Sequence, residues 1–105
     1  MVTKIDEVKL AEILKEDKYA VIDFYATWCG PCRMLGPVTE ELSEELAGKV
    51  DFYMIDTDEN PNASRAFNVS SIPLLVLIKN GKIVDTHLGF EPINGIREFI
   101  TKNLK

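Results

Sequence analysis

Residues 19–32 read YAVIDFYATWCGPC, and this stretch decides the fold. Its first eight residues are an almost continuous apolar run, which predicts a short strand covered on both faces of a sheet. The motif WCGPC, residues 28–32, follows at once. Beyond it, apolar spacings of three, four and four predict one helix that ends at Gly48, with a buried stripe of Leu35, Val38, Leu42 and Leu46. The cysteine pair therefore lies where a buried strand gives way to a helix.

Cys29 and Cys32 are the only cysteines in the chain, and three interpretations of the pair are open. A disulfide across two intervening residues closes so short a loop that it would stabilise the fold little. A zinc site needs four ligands. Besides this cysteine pair the chain has one histidine, His87, which is distant in sequence, so only a site shared between two chains would have enough ligands. A working redox pair needs no further ligand, and the sequence favours this interpretation.

The composition is that of one globular domain, residues 1–105, with 46% apolar and 28% charged residues. A net charge of -5 argues against binding to nucleic acid or to anionic membranes. The longest unbroken apolar run is residues 74–78, whereas a membrane helix needs about 20 apolar residues and a signal peptide about 7–15. We therefore expect a monomer in the reducing cytoplasm, where a close cysteine pair is more often catalytic or metal-binding than structural.

The rest of the chain alternates between helical and strand patterns. Helical periodicity predicts two more helices, at residues 6–15 and 92–104, and residues 58–67, with Pro61 near their start, suit a short helix or helical turns. Apolar runs predict three more strands, at residues 51–56, 74–79 and 82–88, and Asn80-Gly81 is a strong signal for a hairpin turn between the last two. The order helix, strand, helix, strand, helix, hairpin, helix predicts an α/β fold with a central mixed sheet and helices on both faces.

The start of the helix explains how the cysteine pair can work. If Cys29 is the N-cap, Gly30, Pro31 and Cys32 fill the first turn, and the backbone N–H of Cys32 points at the Cys29 sulfur. The helix dipole adds partial positive charge there, so the pKa of Cys29 should fall below the free value of about 8.5. Gly30 permits a tight approach of the sulfurs, and Pro31 restricts the open dithiol, which favours the oxidised protein. We expect Cys29 to be exposed and to attack a substrate disulfide, and Cys32, one turn in, to resolve the mixed disulfide.

Two other residues of this segment bear on the chemistry. Asp23 interrupts a strand that is otherwise fit for burial, and desolvation should raise the pKa of a buried carboxylate toward neutrality. Such a group can relay a proton to or from Cys32. The alternative is that Asp23 faces solvent on a half-exposed strand. Pro37 lies inside the predicted helix and should kink it, because proline lacks an N–H and clashes with the preceding turn.

Three segments resemble the thioredoxin family: VIDFYATWCGPCRMLGP at residues 21–37, SSIPLLVLIKNGK at residues 70–82 and LGF at residues 88–90. The resemblance covers essentially all 105 residues. It implies a thioredoxin fold with four to five strands and about four helices. It also implies a general protein-disulfide reductase that acts on disulfide-containing protein substrates. We expect no cofactor and no metal in this chain. A thioredoxin reductase, which draws on NADPH through a flavin, would recharge it.

The resemblance also assigns roles to residues. It makes Cys29 the attacking cysteine, Cys32 the resolving one and Asp23 the buried acid that assists proton transfer. The proline that matches Pro73 is cis and faces the disulfide, which would bring the backbone of Ile72 beside the cysteines.

A substrate strand could then pair with that backbone without demands on its side chains. Gly89 lines the same rim by family analogy. Trp28 could be a core residue, the usual fate of a tryptophan, but beside an exposed cysteine we expect it to help form an apolar docking rim.

Two departures and two rival functions follow from the same comparison. Many family members carry tryptophan at the position of Tyr25 and a lysine at that of Met54, beside the buried acid. Without that lysine, Asp23 should keep a higher pKa.

An oxidase or isomerase of the same fold is one rival function, although such relatives tend to carry histidine inside the CxxC motif where this chain has Pro31. A binding module whose thiols matter little is the other.

Overall fold

The computed structural model describes residues 1–105 and has nine regular elements in chain order. The strands are β1 (Val2–Ile5), β2 (Tyr19–Tyr25), β3 (Asp51–Asp56), β4 (Leu74–Lys79) and β5 (Lys82–Leu88). The helices are α1 (Glu7–Ile13), α2 (Gly30–Glu45), α3 (Pro61–Ala66) and α4 (Ile93–Thr101). The strands form one mixed sheet, which confirms the α/β architecture predicted from the sequence.

The sheet has the strand order β1-β3-β2-β4-β5, so β2 lies at its centre. Strands β1 and β2 run parallel to β3, whereas β4 pairs antiparallel with both β2 and β5. Strand β1 is absent from the predicted order. Of its four residues only Ile5 is buried, so its apolar pattern is too short and too exposed to signal a strand. Its conformation comes from pairing with β3.

Each face of the sheet carries its own apolar core, and β2 contributes to both. On one face Val21 packs with residues of α2 and α4 such as Leu35 and Ile96. On the other face Ile22 and Phe24 pack with residues of α1 and α3. All three β2 side chains are almost completely buried. Burial on both faces explains why β2 reads as a continuous apolar run rather than as an alternating one.

Helix α2 carries the cysteine pair at its amino end and runs through Pro37 without interruption. The kink at this proline stays a prediction. The helix ends at Glu45, and Gly48 follows with a φ of +84°, in the left-handed region that glycine enters at little cost. Two backbone N–H groups, those of Lys49 and Val50, return to the Leu46 carbonyl. The chain thereby turns sharply into β3. None of the helices is long and apolar enough to cross a lipid bilayer.

The amino ends of α1 and α3 cap each other. The Glu7 backbone N–H donates to Asn60 Oδ1 at 3.1 Å, and the Ala63 backbone N–H donates to Glu7 Oε2 at 2.7 Å. The buried Asn60 side chain also donates to the Asp56 carbonyl at 3.0 Å. These bonds supply partners for first-turn N–H groups that have none within their helices. A separate bond, from the Thr57 backbone N–H to the Tyr25 carbonyl at 2.9 Å, holds the loop between β3 and α3 against the end of β2.

Candidate active site

The cysteine pair lies at the edge of the sheet where β2 and β3 end and β4 begins. Because β2 and β3 are parallel neighbours, the loops that follow them emerge side by side. Because β4 is antiparallel to β2, the segment that leads into β4 reaches the same edge. Three stretches that are distant in sequence therefore meet there, around Cys29, Asp58 and Pro73.

Cys29 and Cys32 are joined by a disulfide, with their Cα atoms 5.2 Å apart. Cys29 is the N-cap of α2, in extended conformation, and its Sγ accepts the backbone N–H of Cys32 at 3.2 Å. The predicted position of Cys29 and the predicted N–H to sulfur contact are both confirmed. Pro31 lies in the first turn, where a missing N–H costs nothing. A Cβ built on Gly30 would have no neighbouring atom within 4 Å. In the oxidised form there is therefore room for a side chain at this position, and close packing does not explain the glycine.

The two cysteines do not differ in exposure, contrary to the expectation that Cys29 is open and Cys32 covered. Each is 5% exposed. They form a small apolar cluster with Ala26, against which the partly buried side chains of Tyr25 and Ile72 pack. The two packing side chains come from the end of β2 (Tyr25) and from the segment before β4 (Ile72), so the pattern of α2 alone does not predict them. The feature that distinguishes the two sulfurs is therefore the N–H that Cys29 accepts.

The Ile72-Pro73 peptide bond is cis, as the family resemblance implied. Ile72 packs against the cysteine cluster, and the Pro73 carbonyl accepts the backbone N–H of Gly89 at 2.8 Å. Gly89 has a φ of +90°, a conformation that other residues adopt only with strain. Gly89 is thus held against the segment that borders the disulfide. The structure brings together all three residues that were assigned to this part of the rim.

Trp28 is 68% exposed, so the core alternative for this residue is wrong. Its indole Nε1–H donates to Asp58 Oδ2 at 2.8 Å. Asp58 is itself held by its backbone N–H, which donates to Asp56 Oδ1 at 2.8 Å. Asp58 is not among the site residues that the sequence predicts. The signal for it was the acidic loop after a buried strand parallel to β2, because such loops share one edge of the sheet.

Asp23 lies on β2, opposite Met54 on β3 and Leu75 on β4. It is 5% exposed, and its Oδ1 has no hydrogen-bond partner. Burial raises the pKa of Asp23 from 3.8 to about 7. The solvent-facing alternative for this residue is therefore wrong, and the predicted direction of the pKa shift is confirmed. Met54 supplies no charge that could stabilise the carboxylate.

His87 lies on β5, outside this cluster. Its Nε2 is 3.1 Å from Glu91 Oε2, and its ring centroid is 5.4 Å from that of Phe99. The structure contains no cluster of three or more His, Cys, Asp or Glu side chains arranged to hold a metal ion. What the cysteine pair can do chemically follows from its bond: a disulfide can accept two electrons, and the resulting dithiol can return them.

Comparison with known proteins identifies the family. The thioredoxin family model matches residues 2–102. Thioredoxin 2 of Chlorobaculum tepidum is 46% identical over 94 residues, which are 90% of this chain and 86% of that protein. The thioredoxin of Rickettsia conorii is 42% identical over 93 residues, 89% of each chain. A thioredoxin of Staphylococcus aureus is 44% identical over 89 residues, 85% of this chain and 86% of that protein.

The class that fold and site define is that of protein thiol-disulfide oxidoreductases, with a redox-active cysteine pair at the start of a helix. The chain belongs to the thioredoxin family. Its fold is the thioredoxin fold, and it is a protein-disulfide reductase whose Cys29 and Cys32 form the redox pair.

Proposed function

We propose that the protein is a general cytoplasmic dithiol reductant in which Cys29 attacks and Cys32 resolves. The observation that carries the assignment is the N-cap position of Cys29, whose sulfur accepts the Cys32 backbone N–H. Once the disulfide is reduced, this N–H and the helix dipole favour a thiolate at Cys29. Cys32 lies inside the first turn and has no equivalent donor aimed at its sulfur in the structure.

The reaction proceeds in two exchanges. The Cys29 thiolate attacks one sulfur of the substrate disulfide, which forms the Cys29–substrate bond and releases the other substrate sulfur as a thiolate. The Cys32 thiolate then attacks Cys29, which forms the Cys29–Cys32 disulfide and releases the second substrate thiolate. The substrate gains two electrons, and the cysteine pair loses two. The released thiolates take up two protons, which balance those lost by the two cysteines.

Asp23 is proposed to accept the Cys32 proton before the second exchange. A carboxylic acid with a pKa of about 7 can hold or release a proton at neutral pH, which suits a general acid–base group. Asp23 shares a sheet face with Tyr25, two residues along β2, and Tyr25 packs on the cysteine cluster. Oδ1 has no other partner that would compete for the proton.

Substrates are proposed to dock along the rim formed by Trp28, Ile72, Pro73 and Gly89. Ile72 is only partly buried where it borders the cysteines, and its backbone can pair with an extended substrate segment. The indole of Trp28 offers an exposed apolar surface whose polar edge is already bonded to Asp58. Recognition through backbone and apolar contacts suits a reductase with many protein substrates.

We further propose that the chain acts as a single domain, residues 1–105, and as a monomer. In the reducing cytoplasm, a flavin-containing thioredoxin reductase that uses NADPH would return the pair to the dithiol. This proposal rests on family membership and on the expectation that a close cysteine pair in a reducing compartment is functional. Gly30, Pro31 and Pro37 are proposed to tune the redox properties of the pair.

Trapping tests the assignment of the cysteines. We expect wild-type protein to accelerate dithiothreitol-driven reduction of insulin, whereas Cys29→Ser abolishes turnover. Cys32→Ser should accumulate mixed disulfides with insulin chains, because the first exchange proceeds and the second is blocked. If Cys32→Ser traps nothing while Cys29→Ser traps substrate, the two roles are reversed.

The reduction potential separates a reductant from an oxidase or isomerase. Titration against glutathione should show a pair about as reducing as the cytosolic glutathione pool or more so, near -270 mV on the scale of thioredoxin-like dithiols. A potential closer to about -120 to -180 mV would assign the protein to the oxidase or isomerase class.

A further inference from the structure

One cation lies directly beside the redox turn. The backbone N–H of Arg33 donates to the Cys29 carbonyl at 3.2 Å, and its guanidinium Nη1 donates to the Thr27 carbonyl at 2.8 Å. These two bonds hold Arg33 against residues 27–29, the segment that ends with the first cysteine. The side chain is exposed, so the guanidinium borders solvent at the rim of the active site.

The guanidinium of Arg33 has no carboxylate partner. None of the ion pairs within 4.0 Å includes it, whereas Arg97 is held by both oxygens of Glu45 at 2.7 and 2.9 Å. A guanidinium carries five N–H donors, and a single one of them is used in the bond to Thr27. The remaining donors match the two oxygens of a carboxylate, the geometry in which arginine binds anions most specifically.

The bond to Thr27 also fixes where this charge is. A long side chain that is already held in one position loses less conformational freedom when it binds a ligand. The carboxylates of the β3–α3 loop are occupied elsewhere, since Asp58 accepts from Trp28 and Glu59 pairs with Lys4 at 3.2 Å. The protein as a whole carries a charge of -5 and repels acidic partners. Arg33 therefore provides a local attraction within a repulsive overall field.

We propose that Arg33 is a specificity-determining residue that favours substrates with a carboxylate side chain next to the attacked disulfide. The proposal rests on the function proposed above, and it names a substrate class for the same site. An exposed ion pair of this kind should change the rate by about two- to fivefold. A purely structural role, in which Arg33 only holds the turn at Thr27, would instead affect all substrates equally.

The test compares two synthetic disulfide peptides that differ in one residue, glutamate or glutamine, immediately before a cysteine. Fully reduced protein is mixed with each peptide, samples are quenched with acid, and the released peptide thiol is quantified. The readout is the ratio of the second-order rate constant for reduction of the glutamate peptide to that for the glutamine peptide. The variants are Arg33→Gln and, as a matched control, Arg65→Gln, which removes the same charge from an exposed arginine of α3 that has no carboxylate partner.

We expect a ratio of about two to five for wild type and for Arg65→Gln, and a ratio near one for Arg33→Gln. The wild-type ratio should also shrink when the salt concentration rises from about 0.05 to about 0.5 M, because exposed charges are screened. An unchanged ratio in Arg33→Gln, or an equal loss of ratio in Arg65→Gln, overturns the proposal. Failure of wild-type protein to reduce either peptide would instead contradict the proposed function itself.

Discussion

Replacement of Asp23 by asparagine should change how stability depends on pH. Asparagine has nearly the shape of aspartate but cannot ionise, so Asp23→Asn removes the titration and preserves the packing on β2. The pKa of Asp23 is about 7 in the folded protein, because burial disfavours the charged form, against 3.8 for an ordinary aspartate. At pH values between 3.8 and about 7, Asp23 therefore holds a proton in the folded protein that it has lost in the unfolded chain.

The free energy of unfolding must therefore fall as the pH rises through this window and level off above about pH 7. At about 1.4 kcal/mol per pKa unit, the ionised form of Asp23 costs the folded protein about 4 kcal/mol in total. About 2.5 kcal/mol of this loss falls between about pH 5 and about pH 8.5. Asp23→Asn should thus be more stable than wild type at alkaline pH, with a smaller difference at about pH 5.

Urea denaturation of the oxidised proteins at several pH values measures this effect, with the wild-type value subtracted from that of the variant at each pH. The subtraction removes contributions from all other titrating groups. Asp17→Asn is a suitable control, because the side chain of Asp17 is 73% exposed and its pairing with Lys79 contributes little. If the difference between wild type and Asp23→Asn is constant from about pH 5 to about pH 8.5, Asp23 does not titrate there and its proposed role in proton transfer is untenable.

Three further outcomes are expected. Met54→Lys should lower the pKa of Asp23, because an ammonium on the neighbouring strand favours the carboxylate, and the loss of stability toward alkaline pH should become shallower in urea titrations. Asn60→Ala should cost about 1–3 kcal/mol in the same assay, since it leaves the Glu7 N–H without a partner and removes one of the two bonds to the Asp56 carbonyl; a loss below about 0.5 kcal/mol would mean that water replaces the side chain. Asp58→Ala should release the indole of Trp28, which lowers its fluorescence anisotropy and reduces kcat/KM for insulin by about two- to fivefold; unchanged anisotropy would show that packing alone holds the ring.

Most of the fold could be predicted because its signals are local. The apolar run of β2 and the helical stripe of α2 are patterns of adjacent residues, and the N-cap position of Cys29 depends only on where one element ends and the next begins. Strand β1 escaped prediction because four residues with a single buried side chain carry no such pattern. Its pairing partner, β3, lies about 50 residues away in register, Val2 opposite Phe52.

The residues of the candidate site likewise fall into those that the sequence predicts and those that only the structure reveals. Cys29, Cys32 and Asp23 could be identified from one segment, because a helix start and a carboxylate in an apolar strand have chemical consequences wherever they occur. The cis bond before Pro73 and the place of Gly89 came from the family resemblance. The bond between Trp28 and Asp58 and the bond of Arg33 to Thr27 are visible only in the structure.

The sequence by itself determined that a strand would lead into a helix at a cysteine pair, and that the first sulfur would meet a free backbone N–H. Tertiary structure decided that both sulfurs are covered, that Trp28 is bonded to Asp58, and that Gly89 lies against Pro73. The physical reason is distance along the chain. Capping and periodicity act within a few residues, whereas burial and the rim of the site exist only once β2, β3 and β4 have paired and brought their loops to one edge of the sheet.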